Sequence, residues 1–255
     1  MGHITTQRCI LLAILAHPDD ETMLCGGTLA ALAGHGVEVH VLCATRGEGG
    51  EMGEPPLGTR QELGRVREAE MQCACQALGV HRVEFLDYVD PMIGPDNTLY
   101  PFAEDEDALR ERLMAHVRRL RPDVVFTHGR DGEYGHPAHK LLHRVAWDAF
   151  GRLCDAGENP PYFYTIVAAI AGIDDHLFNQ SEPAHLILEL KDTPWLDAKH
   201  AAALCHATQH ALFKRRKKAQ TVREILRRIE SLHRYWPPDG PDAPALVSPT
   251  LLQFA

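Results

Sequence analysis

Residues 9–21 read CILLAILAHPDDE, an apolar run that changes abruptly into a histidine, a proline and three acidic residues. A nearly continuous apolar run of this kind is typical of a strand that is covered by helices on both faces. The run is much shorter than the roughly 20 residues that a membrane span requires. It continues directly into the acidic residues without an A-x-A cleavage site, so it indicates a buried strand rather than a secretion signal.

Further apolar runs alternate with longer amphipathic segments over the first 170 residues. This alternation predicts a Rossmann-like α/β fold with a doubly wound, mostly parallel sheet flanked by helices. The predicted strands are 9–16, 37–43, 82–86, 123–128, 163–170 and 185–190. The predicted helices are 24–34, 60–78, 104–120, one that begins near Pro137, 196–212 and 218–232.

The chain has no internal repeat, low-complexity tract or linker that would separate two domains. We therefore expect a single domain over 1–255. Its core would span about 8–212, and C-terminal helices and a proline-rich tail would follow over 213–255.

Composition excludes several classes of protein. The 255 residues include 35 acidic and 26 basic side chains, a net charge of −9 that argues against whole-surface binding of nucleic acid or anionic membranes. The seven cysteines have spacings that fit neither a disulfide framework nor a zinc ribbon. We expect a cytoplasmic protein with reduced thiols, no membrane insertion and no nucleic-acid partner. The sequence leaves a homo-oligomer open.

Two unusual polar segments follow the first and the fourth predicted strands. They read HPDDE over 17–21 and HGRDGEYGHPAH over 128–139. In a doubly wound sheet, ligands bind at the carboxyl ends of the strands, near the point where the strand order reverses. For a strand order 3-2-1-4-5, strands 1 and 4 are neighbours at that point. The two segments should therefore converge in space.

Convergence would bring metal-binding chemistry together. His17, Asp20 and His139 would supply two imidazoles and one carboxylate, a common ligand set for catalytic zinc. Asp19 would remain available to take a proton from water, and His136 would donate a proton or stabilise an oxyanion. The alternative is that both aspartates cap the first helix and that the two histidines are partly exposed helix residues.

These motifs resemble those of the LmbE-like (PIG-L) zinc-dependent de-N-acetylases. The resemblance rests on A-H-P-D-D-E over 16–21 and G-H-P-x-H over 135–139, and it covers roughly 8–212. Weaker matching pieces are Thr45-Arg46-Gly47-Glu48, Arg67-x-x-Glu70 and Lys199…His206-x-Thr208-Gln209. The resemblance implies small substrates that contain N-acetylglucosamine. Examples are mycothiol and bacillithiol precursors, N-acetylglucosaminyl phosphatidylinositol and chitobiose.

The resemblance also implies roles for single residues. His17, Asp20 and His139 would be the zinc ligands. Asp19 would be the general base, and His136 would be the general acid or an electrostatic stabiliser. The implied contacts with the oxyanion, the sugar hydroxyls or neighbouring groups are Tyr134, Arg67 and Asp90.

One position departs from the family pattern. The family usually has H-P-D-H, whereas Ala138 takes the place of the aspartate here. A carboxylate beside His136 would favour its protonated form, so its absence is expected to weaken or retune the acid. Asp131 or Glu133 could replace it. On this interpretation, Ala138→Asp would move the alkaline limb of the pH–rate profile upwards.

The sequence thus predicts a zinc hydrolase that removes acetyl from an N-acetylglucosamine-type amide, such as a malate or inositol conjugate or chitobiose. Iron(II) or another divalent metal would suit the same ligands. The alternatives are an amidase for a larger acyl group, with a pocket near 88–103, and a non-catalytic metal- or sugar-binding module. The basic run 214–218 is typical of a solvated helix start, although it would also suit a subunit contact or a landing site for an anionic substrate.

Overall fold

The computed structural model describes residues 9–167, 182–239 and 241–243. Within these ranges the strands are β1 (Ile10–Leu15), β2 (Glu38–Thr45), β3 (Arg82–Tyr88), β4 (Val124–Thr127), β5 (Tyr162–Val167), β6 (Leu186–Glu189) and β7 (Ile229–Trp236). The α-helices are α1 (Asp20–Met23), α2 (Gly26–Gly34), α3 (Leu63–Ala77), α4 (Glu106–Leu120), α5 (Gly132–Gly135), α6 (Pro137–Asp155), α7 (Pro194–Cys205) and α8 (His210–Lys217).

The strands form one sheet in the order β3-β2-β1-β4-β5-β7-β6. Neighbouring strands from β3 to β5 pair in parallel, and β7 runs antiparallel to both β5 and β6. The strand order reverses between β1 and β4, which are neighbours. The predicted doubly wound, mostly parallel α/β fold is confirmed.

Both faces of β1 are buried, which explains its continuous apolar sequence. Leu11, Ala13 and Leu15 belong to one apolar cluster, whereas Leu12 and Ile14 belong to a second. Successive side chains of a strand point to opposite faces, so the two clusters lie on opposite sides of the sheet. Helices α2, α3 and α7 contribute to the first cluster, and α4 and α6 contribute to the second.

Helix α6, with 19 residues, is the longest helix of the described ranges, and it carries part of the polar segment after β4. It begins at Pro137, as predicted, because a proline at the first helical position lacks only an N–H that has no partner within the helix. Ten of its 19 residues are buried, and its exposed residues are Lys140, Arg144, Arg152 and Asp155. In the described part of the chain, no helix is long and apolar enough to cross a membrane.

The predicted helix over 218–232 is wrong. A short 3-10 turn occupies Arg223–Ile225, and the strand β7 follows. One of the charged residues of this segment is Glu230. In the structure this carboxylate is buried, lies 2.6 Å from Lys199 Nζ and accepts the backbone N–H groups that begin α2.

Two other predicted elements differ in extent. The predicted helix 196–212 is divided into α7 and α8 by a 3-10 turn at Ala207–Gln209. The predicted strand 163–170 corresponds to β5, and its last three residues lie outside the described ranges. The six-residue prediction at 185–190 contains β6.

The expectation of reduced thiols is wrong for one pair of cysteines. Cys73 in α3 and Cys205 at the end of α7 form a disulfide. The two residues are 132 positions apart, so their spacing in the sequence did not reveal the pair. The bond ties α3, which carries Arg67, to the turn that follows α7.

Candidate active site

The two polar segments meet at the carboxyl edge of the sheet, where β1 and β4 end side by side. The backbone N–H of Ala16 donates to Nε2 of His128 over 3.0 Å, although the residues are 112 positions apart. On the same edge, Nε2 of His139 lies 3.3 Å from Nδ1 of His17. The strand order therefore brings together the segments that the sequence places after strands 1 and 4.

Three side chains form a compact group of metal-ligand type. Nδ1 of His17 lies 3.5 Å from Oδ2 of Asp20, and Nε2 of His139 lies 3.4 Å from Oδ1 of the same carboxylate. Ligand atoms that surround a zinc ion tetrahedrally, with bonds of about 2.0–2.1 Å, are separated by about 3.3 Å. The two imidazole nitrogens are 3.3 Å apart, which matches that spacing, and each lies 3.4 to 3.5 Å from a different oxygen of the Asp20 carboxylate. All three side chains are buried.

The second nitrogen of each of these imidazoles faces a carboxylate. Nε2 of His17 lies 3.3 Å from Oδ1 of Asp90, and Nδ1 of His139 lies 2.5 Å from Oε2 of Glu133. Carboxylates in this position fix the orientation of metal-ligating imidazoles and increase their basicity. The group has the surroundings of a metal site as well as the ligands.

Glu133 and His128 support the candidate ligand His139 through hydrogen bonds that were not predicted from the sequence. Nε2 of His128 accepts the N–H of Ala16, so its Nδ1 carries the proton and donates to Glu133 over 3.0 Å. The carboxylate also accepts the N–H of Gly129. Burial opposes ionisation of Glu133, but His128 and His139 outweigh it and lower its pKa to about 2. A buried polar residue at the end of a buried strand was the available signal.

Asp19 lies beside the group of ligands without belonging to it. Its backbone has φ of 104°, a left-handed conformation, and its N–H donates to Oε2 of Glu21 over 3.0 Å. Nη2 of Arg67 donates to Oδ2 of Asp19, also over 3.0 Å. Burial raises the pKa of Asp19 to about 7 against the opposing attraction of Arg67. This value is suited to proton exchange near neutral pH.

The turn between α7 and α8 forms hydrogen bonds with the segment that follows β1 and with α3. Nε2 of His206 lies 2.6 Å from Oε1 of Glu21, which also accepts the hydroxyl of Thr22. Burial would lower the pKa of His206, but Glu21 outweighs it and raises that pKa. The backbone N–H and hydroxyl of Thr208 donate to Glu70 in α3. These contacts explain why the late motif belongs with the first one.

His136 is neutral in this site. Burial, together with the neighbouring imidazoles of His139 and His17, lowers its pKa to about 2. Nδ1 of His136 accepts the backbone N–H of Ala138 over 3.2 Å, so the proton of the neutral ring is on Nε2. The ring of Tyr134 packs edge-on at 5.6 Å between centroids. In this arrangement Nε2 of the neutral ring is a hydrogen-bond donor.

The position of the missing family aspartate is apolar in this protein. Ala138 is fully buried and belongs to the cluster that packs on the second face of β1. Glu133 does not take over beside His136, because its carboxylate bonds to His128, His139 and a backbone N–H. An aspartate at position 138 would therefore be buried against apolar side chains.

A cavity of about 300 Å³ opens above the ligands. His139 is completely buried beneath it. The other predicted site residues all line it, namely His17, Asp19, Asp20, Arg67, Asp90, Tyr134 and His136. Apolar walls are formed by Ile93, Leu99 and Tyr100 on one side and by Leu212 and Phe213 on α8.

Arg67 and Asp90, which were expected to contact the sugar, are already engaged with the site itself. Besides Asp19, the guanidinium of Arg67 bonds to the carbonyls of Pro18 and Gly47. Asp90 faces His17, as described above. Both residues border the cavity, so the predicted sugar contacts are sterically available.

Several known proteins are similar to this chain. The family model described as GlcNAc-PI de-N-acetylase, PIG-L, matches residues 12–150. The 1D-myo-inositol 2-acetamido-2-deoxy-α-D-glucopyranoside deacetylase of Thermobispora bispora is 33% identical over 237 residues, covering 78% of each chain. That of Rhodococcus opacus is 34% identical over 239 residues, 78% of this chain and 81% of the relative. The Thermobifida fusca deacetylase is 38% identical over 158 residues, 57% of this chain and only 55% of the relative.

Two solved structures share the fold. The N,N'-diacetylchitobiose deacetylase of Pyrococcus horikoshii has a TM-score of 0.59 at 20% identity, covering 95% of this chain and 88% of its own. The 4-carboxy-2-hydroxymuconate hydratase of Pseudomonas putida has a TM-score of 0.63 at 22% identity, covering 92% and 99%. Because one fold serves both activities, these likenesses establish architecture only. The extent of the family match and the identities of the longer alignments show that the chain belongs to the PIG-L family.

Proposed function

We propose that this protein is a metal-dependent hydrolase that removes the N-acetyl group from a small molecule containing N-acetylglucosamine. The observation that carries the proposal is Asp19, a carboxyl with a pKa of about 7 beside a group of three metal-ligand side chains. The expectation of an amide-hydrolysing enzyme is confirmed by relatives that are named deacetylases. The substrate named for the relatives supports an inositol conjugate as a candidate.

His17, Asp20 and His139 would hold the metal, and zinc suits two imidazoles and one carboxylate. Iron(II) would suit the same donors. When bound, the cation supplies Lewis-acid chemistry, which acidifies water and polarises the amide carbonyl. Asp90 and Glu133 would keep the two ligand imidazoles in their observed orientations.

Asp19 would move the protons of the reaction. Arg67 is bonded to Oδ2, so we assign proton transfer to Oδ1, which takes a proton from the attacking water. The amide carbon then gains the oxygen of that water, and its bond to nitrogen breaks. The carboxyl of Asp19 returns the proton to the departing amine, so that acetate and a free amino sugar are formed.

His136 and Tyr134 would stabilise the negative charge that develops on the amide oxygen. His136 is neutral and has its proton on Nε2, so it suits hydrogen-bond donation better than general acid catalysis. The hydroxyl of Tyr134 would be the second donor. Arg67 and Asp90 keep their predicted sugar contacts as a secondary role, since both border the cavity.

The apolar walls of the cavity favour a second candidate, an amidase that cleaves a larger acyl group. Ile93, Leu99 and Tyr100 come from the loop where such a pocket was predicted, and they face Leu212 and Phe213. The cavity of about 300 Å³ is at the lower end of the usual range for ligand sites. This size suits a sugar with a small acyl group better than one with a long chain.

Release of free amine by the zinc-loaded protein tests the proposal. The substrates would be N-acetylglucosamine, its malate and inositol conjugates, chitobiose and N-hexanoylglucosamine. We expect amine from an acetylated substrate, and a loss of at least about 100-fold in Asp19→Asn with metal retained. Asp155→Asn, an exposed carboxyl at the end of α6, is the matched control and should keep full activity.

Other outcomes would overturn the proposal. Amine from N-hexanoylglucosamine alone would establish the larger-acyl amidase. A protein with one metal per chain that releases no amine from any substrate would be a binding module.

A further inference from the structure

Helix α8 places its basic last turn at the edge of the cavity. The run 214–218 ends this helix rather than starting one, contrary to the sequence-based interpretation. Leu212, Phe213 and Arg216 all line the cavity, and their spacing places them on one side of the helix. One cation of the run therefore faces the same space as the candidate catalytic residues.

The other cations near the cavity already have partners. Arg67 is bonded to Asp19. Arg215, the neighbour of Arg216, bonds to both carboxylate oxygens of Glu51 at 2.6 and 2.8 Å. Arg216 differs from both, because no carboxylate of the described residues forms an ion pair with it.

The carboxylates that line the cavity are also engaged. Asp19 pairs with Arg67, Asp90 with His17, and Glu51 with Arg215. Asp20 lies beside His17 and His139. The charge of Arg216 is therefore not neutralised by the cavity itself. An anionic group on a bound ligand would supply the missing partner.

The surroundings of Arg216 favour such a partner. Its guanidinium carbon lies 5.9 Å from the centroid of the Tyr134 ring, close to the place proposed for the amide. Arg216 is exposed, and Leu212 and Phe213 beside it are partly buried, so its guanidinium lies at the open rim of the cavity and is accessible to an anionic group of a bound ligand. A guanidinium presents a planar fork of donors that matches two oxygens of a carboxylate or a phosphate.

We propose that Arg216 forms an anion subsite, and that the preferred substrate carries a carboxylate or phosphate group attached to its amino sugar. The inference rests on the proposed function, because it concerns the substrate of the same cavity. An inositol conjugate, the substrate for which the relatives are named, has no such charge and is therefore the neutral reference substrate.

The test compares kcat/KM of the zinc-loaded protein for three substrates. These are the N-acetylglucosaminyl conjugates of malate and of inositol, and N-acetylglucosamine 1-phosphate. In Arg216→Ala, the preference for the anionic over the neutral substrate should fall by about 10- to 100-fold, the value of one charged hydrogen bond. Arg216→Lys should keep part of the preference for the anionic substrate, because lysine retains the positive charge but lacks the planar set of guanidinium donors. Lys214→Ala, a cation on α8 away from the cavity lining, should change the preference by less than about twofold.

Comparison of the malate conjugate with N-acetylglucosamine 1-phosphate identifies whether the subsite prefers a carboxylate or a phosphate. An equal loss on neutral and anionic substrates in Arg216→Ala, or no change in the preference, would overturn the inference. If the wild-type protein hydrolyses none of the three substrates, the proposed function fails, and calorimetric binding of the malate conjugate decides the anion subsite. Weaker binding by Arg216→Ala than by the wild-type protein would then support the subsite, and equal binding would overturn it.

Discussion

Glu133 and Asp19 are two buried carboxyl groups in one site, and their pKa values are shifted in opposite directions. Glu133 faces two imidazoles, which outweigh the effect of burial and lower its pKa to about 2. Asp19 has Arg67 as its cationic partner but also has Asp20 and Glu21 as neighbours of like charge, and burial raises its pKa to about 7. Burial alone therefore does not decide the protonation of a carboxyl group. Its partners make Glu133 a permanent anion and Asp19 a group that can exchange a proton.

The two halves of the site also differ in how they are built. His128, Glu133 and His139 come from a single segment after β4 and hold one another. Asp19 depends on Glu21, whose partner His206 is 185 positions away at the end of α7. The support of the ligand His139 is therefore local, whereas the support of Asp19 depends on a residue that the chain brings from the end of α7.

The largest effect should come from removing a candidate ligand. We expect His139→Ala to lose stoichiometric zinc, with metal affinity reduced by more than about 100-fold, because it removes a direct ligand rather than a supporting residue. Activity should be lost with the metal. Metal analysis after dialysis checks this, with His200→Ala on α7 as the matched control. Full zinc occupancy in His139→Ala would remove this residue from the ligand set.

Glu133→Gln should weaken the metal site without destroying it. A glutamine has one acceptor oxygen for the three donors that Glu133 now receives, and it lacks the charge that polarises His139. We expect metal affinity to fall by about 10- to 100-fold, measured by competition with a chelating dye. Glu111→Gln, an exposed position on α4, is the control. Unchanged affinity would show that the carboxylate does not support the ligand.

Glu21→Gln should affect the other half of the site. The loss of the charged acceptor frees the N–H of Asp19 and weakens the contact with His206, so kcat at saturating zinc should fall by about 10-fold. Metal content should remain one per chain. Loss of zinc together with activity would contradict the separation of the two halves.

The fold was predictable to the extent that its signals are local. The apolar run of β1 and the polar residues after it identify a buried strand and the edge where ligands bind. The segment 218–232 misled because a buried charge looks like a solvated one until its partner is known. Glu230 is accommodated in β7 through Lys199, which the chain brings from α7, and through the N–H groups that begin α2.

The site was predictable as a set of residues but less so as a set of roles. Strand order determines which segments meet, so His17 and His139 could be paired from sequence. The direction in which a side chain points is set by packing. Glu133 was therefore considered for His136 although it faces His139, and Ala138 was considered for the site although it packs in the apolar core.

The opposite pKa shifts predict opposite effects of pH on the free energy of unfolding of the metal-free protein. The pKa of Glu133 is lowered from 4.5 to about 2 in the folded state, so its stabilisation is present above pH 4.5 and is lost as the pH falls towards 2. The pKa of Asp19 is raised from 3.8 to about 7, so its protonated form is favoured below pH 3.8 and this stabilisation is lost as the pH rises towards 7. Each slope should approach about 1.4 kcal/mol per pH unit between the two values.

Urea denaturation of the wild-type protein, Glu133→Gln and Asp19→Asn between pH 3 and pH 7.5 measures both slopes. The difference in free energy of unfolding by which the wild-type protein exceeds Glu133→Gln should decrease as the pH falls below 4.5. The free energy of unfolding of Asp19→Asn should rise relative to that of the wild-type protein as the pH rises from 4 to 7, because the asparagine avoids the cost of a buried charge. If both differences changed in the same direction with pH, the two carboxyl groups would share one electrostatic environment. The division of the site into a permanent anion and a proton acceptor would then fail.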